Sequence, residues 1–330
     1  MEIAKSAPDK EVTHWLIDAA TWAPSVHNTQ PWWFGTRGST VTLHADPDRR
    51  LDVADPDGRE MLISCGAALY TLRLAVRSLG RCPWVETRSD PERPGLIADV
   101  GVGPPQEITE DERRMYGEIR RRRTHRGGFR PEGLVTGLLQ ALRTQADEEG
   151  VSLRVVADPR ARVALAALTE AAEQIERQNP AYCVEMAHWA PRPGSRRMDG
   201  VHENAYPRDP ERTDPHFTAR DFARGHGWGL ADDERHGSTG VVVLLTTRTD
   251  GRADWLRAGA ALQRVLLRAS MEGVSAAFHT QALEVPELRD VVRGRFCDGE
   301  HPQMIMRLGT TDREIKSVRR SPGEVTRLEP

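Results

Sequence analysis

Apolar residues at Val12, Trp15, Leu16, Ala19 and Ala20 recur at helical spacing through EVTHWLIDAATW (11–22), and Pro24 stops the stripe. VTLHA (41–45) alternates like a strand. The run MLISCGAALYTLRLAVRSLG (61–80) reads as a buried helix ended by Gly80, and LIADVGVG (96–103) as a strand closed by Pro104 and Pro105. Thr109 and Glu112 have the spacing of a capping box, which predicts a helix through ERRMYGEIRRRR (112–123); a loop and a second helix, GLVTGLLQALRTQA (133–146), follow. SLRVVAD (152–158) is an expected strand and VALAALTEAAEQI (163–175) a helix. GVVVLLTT (240–247) gives the strongest buried-strand pattern, ahead of a helix from about Asp254 to Glu272 and a last strand around QMIMRLG (303–309).

Between about 180 and 238 the periodicity fades. Pro, His, Arg, Asp and Gly dominate, with Trp189, Tyr206 and Trp228 interspersed, which predicts an irregular cover docked by its aromatics. An internal repeat organises the rest. CGAALYTLRLAVRSLG from Cys65 aligns without gaps with AGAALQRVLLRASMEG from Ala258, matching Gly66 to Gly259, Ala67 to Ala260, Ala68 to Ala261, Leu69 to Leu262, Leu74 to Leu267 and Gly80 to Gly273. Each copy follows one strand and precedes another, and the small Gly-Ala-Ala face lets two such helices pack closely around a pseudo-dyad. The expected organisation is therefore α+β, with a first half at 1–105 and a second at 106–330 that carries the cover.

Composition narrows the partners. The 330 residues hold 46 Lys+Arg against 49 Asp+Glu, so no net field draws the chain to nucleic acid or anionic lipid, and any basic site must be local. Cys65, Cys82, Cys183 and Cys297 stand singly, without the spacing of a zinc site or redox pair. The opening MEIAKSAPDKEV lacks the apolar core of a leader, and no apolar run reaches the roughly 18 residues of a membrane span; the expectation is a soluble, cytoplasmic protein.

Two stretches carry chemistry. Ala23-Pro24-Ser25-Val26-His27-Asn28-Thr29-Gln30-Pro31-Trp32 sets Ser25, Asn28 and Gln30 between two prolines, a rigid loop able to present hydroxyl, amides and backbone to a planar polar ligand. On spacing alone the commoner meaning is a turn whose Ser and Asn satisfy neighbouring backbone groups. In MYGEIRRRRTHRGGF (115–129), Arg122-x-Thr124-x-Arg126 flanks a hydroxyl with two forked cations, a compact site for a phosphate monoester, although a basic helix end is usually a solvated face. Nucleic acid fits less well, because no aromatics interleave with the arginines.

IRRRRTHRGGF resembles the phosphate-binding Arg-x-Ser-x-Arg of nitroreductases, and APSVHNTQPWW resembles their Ala-Pro-Ser-x-x-Asn-x-Gln-Pro-Trp loop. Nitroreductases carry both motifs once per subunit, and their FMN sites lie at a homodimer interface. Here the order is inverted, with one copy of each motif in different halves, as a fused dimer keeping one site requires. Together with DPDGREMLISCGAAL, HPQMIMRLG and the closing Arg-Arg-x-Pro, this looks like the actinobacterial Acg group of nitroreductase-like FMN proteins.

The resemblance covers nearly the whole chain and is weakest in the cover. It implies a nitroreductase-like fold of two degenerate halves with a lid insertion. It also implies FMN, with Pro24, Ser25, Asn28 and Gln30 approaching the isoalloxazine ring and Arg122, Thr124 and Arg126 holding the phosphate. Arg319 and Arg320 match the family's final basic residues at the phosphate, and Thr280 and Gln281 lie where family members run backbone past the ring. His125 and the Gly127-Gly128 pair depart from the pattern and predict a looser phosphate loop, with Arg130 adding charge nearby.

The flavin carries the electrons in such a protein, so no side chain is assigned a catalytic role. Two functions follow: an NAD(P)H-dependent FMN oxidoreductase acting on a nitroaromatic, quinone or other small molecule, or a flavin-sequestering, stress-related binding protein with little turnover. A fused dimer also predicts a chain that can stand as a monomer.

Overall fold

The structure is a computed structural model and describes residues 10–37, 40–88, 93–209, 212–231 and 237–328. Most of the opening stretch tested above for a leader lies outside these, as do 210–211 and 232–236 of the expected cover.

The first half runs α1 (Lys10–Thr21), β1 (Trp32–Arg37), β2 (Thr40–Ala45), α2 (Arg59–Ser78), β3 (Arg81–Thr87) and β4 (Leu96–Pro105). Next come α3 (Glu110–Glu118), α4 (Leu138–Asp147), β5 (Ser152–Val155), α5 (Pro159–Arg177), α6 (Pro180–Trp189) and β6 (Val241–Thr247). The chain ends with α7 (Arg252–Ser270), β7 (Val274–Phe278), α8 (Gln281–Glu284), α9 (Pro286–Phe296), β8 (His301–Thr310) and α10 (Pro322–Val325). The strands form two antiparallel sheets, ordered β1-β2-β4-β3 and β5-β6-β8-β7. The two orders are the same pattern shifted by four strands, and α2 and α7 occupy the same place in each, between the second and third strands.

The helices α2 and α7 pack against each other at the centre of the molecule. Their aligned glycines explain how closely: a Cβ on Gly66 would stand 3.0 Å from the Gly259 Cα and nearer still to the Leu256 carbonyl oxygen. A Cβ on Gly259 would stand 2.9 Å from the Ala67 nitrogen. Neither helix can carry a side chain at the crossing, so the backbones meet directly. Beyond it, Gln263 donates to the buried Thr71 hydroxyl at 3.0 Å. One apolar core lies under the first sheet, around Trp32, Phe34, Leu62 and Leu72, and another under the second, around Val243, Leu245, Leu262 and Met306.

Several expected boundaries move. The capping box at Thr109 and Glu112 forms, but α3 stops at Glu118, so the arginines at 120–123 lie beyond the helix. Helix α4 begins at Leu138 because Gly137 sits at φ +83°, a left-handed position that ends the preceding turn. The cover is not wholly irregular: Asn179 caps α6 through Ala181 N–H and Pro180 opens it. The four cysteines are free thiols, with Cys65 and Cys297 buried. Among the described residues no helix is long and apolar enough to cross a membrane.

Candidate functional site

The loop after α1 is held in an unusual backbone. His27, Asn28 and Gln30 all have positive φ, 44°, 55° and 50°, a region that side chains disfavour and that surrounding bonds must enforce. Those bonds are present. The Ser25 hydroxyl accepts from Gln30 N–H at 3.0 Å, and Val26 N–H donates to the Ser64 hydroxyl on α2 at 3.1 Å. The Asn28 amide donates to Gly200 O (3.0 Å) and Val318 O (3.2 Å), while its oxygen accepts from Arg319 (2.9 Å). Gln30 donates to Met198 O (2.8 Å) and accepts from Arg320 N–H (2.8 Å). The loop thus clamps the cover on one side and the C-terminal segment on the other.

The arginine motif comes from the second half. Thr124 bridges to Ala276 on β7, His125 N–H donates to Ala276 O at 2.9 Å, the His125 ring bonds Gly128 O at 2.7 Å, and Arg307 donates to Gly127 O at 3.0 Å. This corrects the expectation of a looser loop: His125 and Gly127-Gly128 are the points at which it is pinned. Arg130 is also not part of the site, since it pairs with Asp312.

Loop and motif converge on one composite cleft. Its larger part encloses ≈ 810 Å³ between Pro24, Ser25, Thr124, Arg126, Thr280 and Gln281. A second part of ≈ 460 Å³ shares Pro24, Ser25, Thr124 and Arg126 and adds Asn28, Arg122 and Arg319.

The second part is cationic and contains no carboxylate among its lining residues, although it gathers Arg122, Arg123, Arg126, Lys316 and Arg319. Arg122 has Trp22 O as an acceptor at 3.3 Å and its Nε has none; Arg126 has Ala205 O at 2.9 Å; Arg319 reaches Asn28, Ala23 O and Val318 O, and again its Nε lacks an acceptor. Burial pulls the Arg122 guanidinium down to about 9 and that of Arg126 to about 10. Arg319 is lowered too, by burial first and then by Arg122 and Arg123. Buried cations without counter-charges are costly, and the arrangement calls for an anion.

Not every expected residue lines this space. Gln30 and Arg320 sit behind the loop: Arg320 donates to Gln30 O (3.0 Å) and Glu324 O (3.0 Å), so the pair fixes the loop against the C-terminal segment. Asn28 lies at the cationic part, where it orients Arg319.

Comparison with known proteins places the chain. No family model matches it. A Mycobacterium tuberculosis protein, Rv3131, whose name assigns it provisionally to the NAD(P)H nitroreductases, is 34% identical over 339 residues, spanning 97% of this chain and 94% of its own. The acg protein of the same organism, named in the same terms, is 31% identical over 310 residues, or 92% of this chain and 91% of its own. The chain belongs to the Acg family of nitroreductase-like proteins. The fold agrees: a structure from Anabaena variabilis, provisionally assigned as a nitroreductase, matches with a TM-score of 0.51 over 93% of this chain and 90% of that one, at 11% identity.

Three lining residues of this Acg-family cleft were not legible as such. Glu60, at the start of α2, is its one lining carboxylate among the described residues, and Arg220 and Phe222 reach in from the cover. Arg220 is buried between Glu176 (3.1 Å) and Glu284 (2.6 Å), and Phe222 meets the His27 ring edge-on at 5.5 Å. His27 is held neutral by burial, then by Arg220 and Arg126. Arg220 and Phe222 lie in the stretch expected to form a docked cover, where neither was singled out.

Proposed function

We propose that this protein is an NAD(P)H-dependent FMN oxidoreductase holding one FMN in the composite cleft. Arg122, Thr124, Arg126 and Arg319 hold the phosphate, and Pro24, Ser25, Thr280 and Gln281 flank the ring. The carrying observation is the group of buried guanidiniums that have no carboxylate at one end of an otherwise mixed cleft. A phosphate dianion satisfies both their charge and their free N–H groups. Asn28 acts on the site by orienting Arg319, and Gln30 from behind, through the loop backbone. Bound FMN supplies the hydride chemistry, and the protein contributes position, polarity and access. The substrate class is a small planar acceptor, a nitroaromatic or a quinone.

The site is single because each half supplies a different part of it: the ring loop comes from 1–105 and the phosphate motif from 106–330. The repeated strand order and the glycine crossing of α2 and α7 support descent of the two halves from a fused dimer. A monomer then suffices for a complete site.

A second reading rests on the cover. Ala219, Arg220 and Phe222 close the larger part of the cleft, which favours a protein that sequesters flavin. Anaerobic mixing of the yellow holoprotein with NADPH separates the two. Rapid bleaching of the flavin's visible band is expected of the reductase; persistence of the band over minutes contradicts it and supports sequestration.

A further inference from the structure

The wall of the cleft formed by Glu60 opens onto a second buried network, whose charge balance is the reverse of the phosphate end. Five carboxyl groups, those of Asp55, Glu60, Glu173, Glu176 and Glu284, are buried there around two buried guanidiniums, Arg59 and Arg220. Arg177, half-exposed, reaches Glu173 at 3.2 Å and Asp221 at 3.7 Å at the rim. Arg59 donates to Glu60 at 2.9 Å and to Gln303 O at 2.8 Å. The Asp55 carboxylate caps α2 by accepting from Glu60 N–H (3.0 Å) and Met61 N–H (2.8 Å), so the helix terminus is already satisfied without the Glu60 side chain. Thr280, which lines the cleft, donates to Glu284 at 2.9 Å.

Two guanidiniums cannot neutralise five carboxylates, and the structure shows where the protons belong. Glu176 Oε1 and Glu284 Oε2 are each buried without a donor, although the two side chains are within hydrogen-bonding reach of one another. One proton between them satisfies both oxygens, as in other carboxyl pairs that cannot both ionise. Burial, and then the neighbouring Glu284, pushes Glu60 up to about 8; burial first, with Glu284 and Glu173 adding, pushes Glu176 up to about 10 against the pull of Arg220. Arg220 stays charged, since Glu284, Glu176 and Glu173 outweigh its burial.

We propose that Glu60 is the proton donor of the cleft, recharged from the Glu176–Glu284 pair beneath the cover. This rests on the FMN reductase reading above. Two-electron reduction of a quinone by NAD(P)H makes two new O–H bonds and consumes one hydride and one proton. The hydride supplies both electrons and one hydrogen, and the nicotinamide leaves oxidised. The other hydrogen arrives as a proton from the Glu60 carboxyl, whose O–H bond breaks to leave a carboxylate beside Arg59. A proton from the pair then restores it, and solvent refills the pair at the Arg177 rim. A donor in the wall of the cleft delivers the proton without waiting for water to reach the substrate.

The test begins with the wild-type protein freed of FMN, whose infrared spectrum at neutral pH is expected to show carbonyl absorption from two protonated carboxyls, that of Glu60, which Glu60→Gln removes, and that of the Glu176–Glu284 pair, which remains. Equal carbonyl intensity in wild type and Glu60→Gln overturns the proposal whatever the protein binds. Glutamine has the shape of a protonated glutamic acid, so folding is preserved, and pH titration of the wild-type band tests the same point without a variant. In the second arm, NADPH-reduced holoprotein is mixed with benzoquinone. Glu60→Gln should retain FMN and accept hydride from NADPH, yet reoxidise about 100-fold more slowly. Wild-type reoxidation should slow as pH rises through about 8, while the variant stays flat. Glu176→Gln should leave the first turnover intact and slow the following ones. Reoxidation of Glu60→Gln at the wild-type rate and pH dependence sinks the donor, and an unchanged steady state in Glu176→Gln sinks the reservoir. Wild-type protein that never binds FMN or is not reduced by NADPH defeats the reductase reading instead, and leaves the infrared outcome to decide the protonation of Glu60.

Discussion

The two ends of the cleft solve opposite electrostatic problems. At one, Arg122, Arg126 and Arg319 are buried with carbonyl and amide oxygens but no carboxylate; at the other, five carboxyls crowd Arg59 and Arg220. The acidic end can balance itself by keeping protons. The basic end cannot do so cheaply, because guanidinium gives up its proton only under extreme burial, so its missing charge must come with a ligand. The contrast supports the proposal that the basic end binds a ligand and that the acidic end belongs to the protein's own machinery.

The largest effect that sharpens this contrast is stabilisation by the ligand itself. FMN at 1,000 times its dissociation constant should add about 4 kcal/mol, read as a rise in Tm, and riboflavin at equal concentration should do far less. Equal shifts with both would break the comparison. Next, Arg122→Ala should weaken FMN binding by about 2–3 kcal/mol in an equilibrium titration, since it removes charge-assisted bonds to the phosphate, while riboflavin binding barely changes. Asn28→Ala, which acts by releasing Arg319, should cost FMN about 1 kcal/mol in the same assay. The loop and the motif lie in different halves, so two such losses together also test the cross-half site.

The last effect lies at the acidic end and grows with pH. Glu60 titrates near 4.5 when unfolded and near 8 in the folded chain, so below about 4.5 both states carry the proton and its stabilisation is complete. Between those values the unfolded chain ionises while the folded one keeps its proton, and wild-type stability falls as pH rises. Glutamine does not titrate. The Tm of Glu60→Gln minus that of wild type should therefore rise from pH 5 to 8; a value that stays constant or falls would mean that Glu60 is ionised in the fold.

Much of this architecture was legible in the chain. The central strands β2, β4, β6 and β8, the buried α2 and its repeat α7, and both ligand motifs stand out because burial on two faces or a helical stripe imposes a pattern. Of the edge strands, β5 was expected but β1, β3 and β7 did not stand out. β3 contains Pro83 and is mostly half-exposed, and β7 is five small or mixed residues, so neither alternates strongly. Helix α6 was hidden in a stretch dominated by turn formers. The acidic network was illegible for a different reason: Asp55, Glu60, Glu173, Glu176, Arg220 and Glu284 come from segments far apart in sequence, and each alone reads as a solvated charge. Gln30 and Arg320 matched a motif yet brace the loop from behind, because a motif gives proximity but not the direction in which a side chain points.

The central claim is that the cluster of unpaired arginines recognises the phosphate of a single bound flavin mononucleotide. The most direct measurement compares equilibrium binding of FMN and riboflavin, identical but for that phosphate, to the wild-type chain and to Arg122→Ala. The account predicts one FMN per chain, a preference for FMN over riboflavin of at least about 100-fold in wild type, and its fall to below about tenfold in the variant. Equal affinity for the two flavins in wild type, or a preference that survives loss of Arg122, would contradict it.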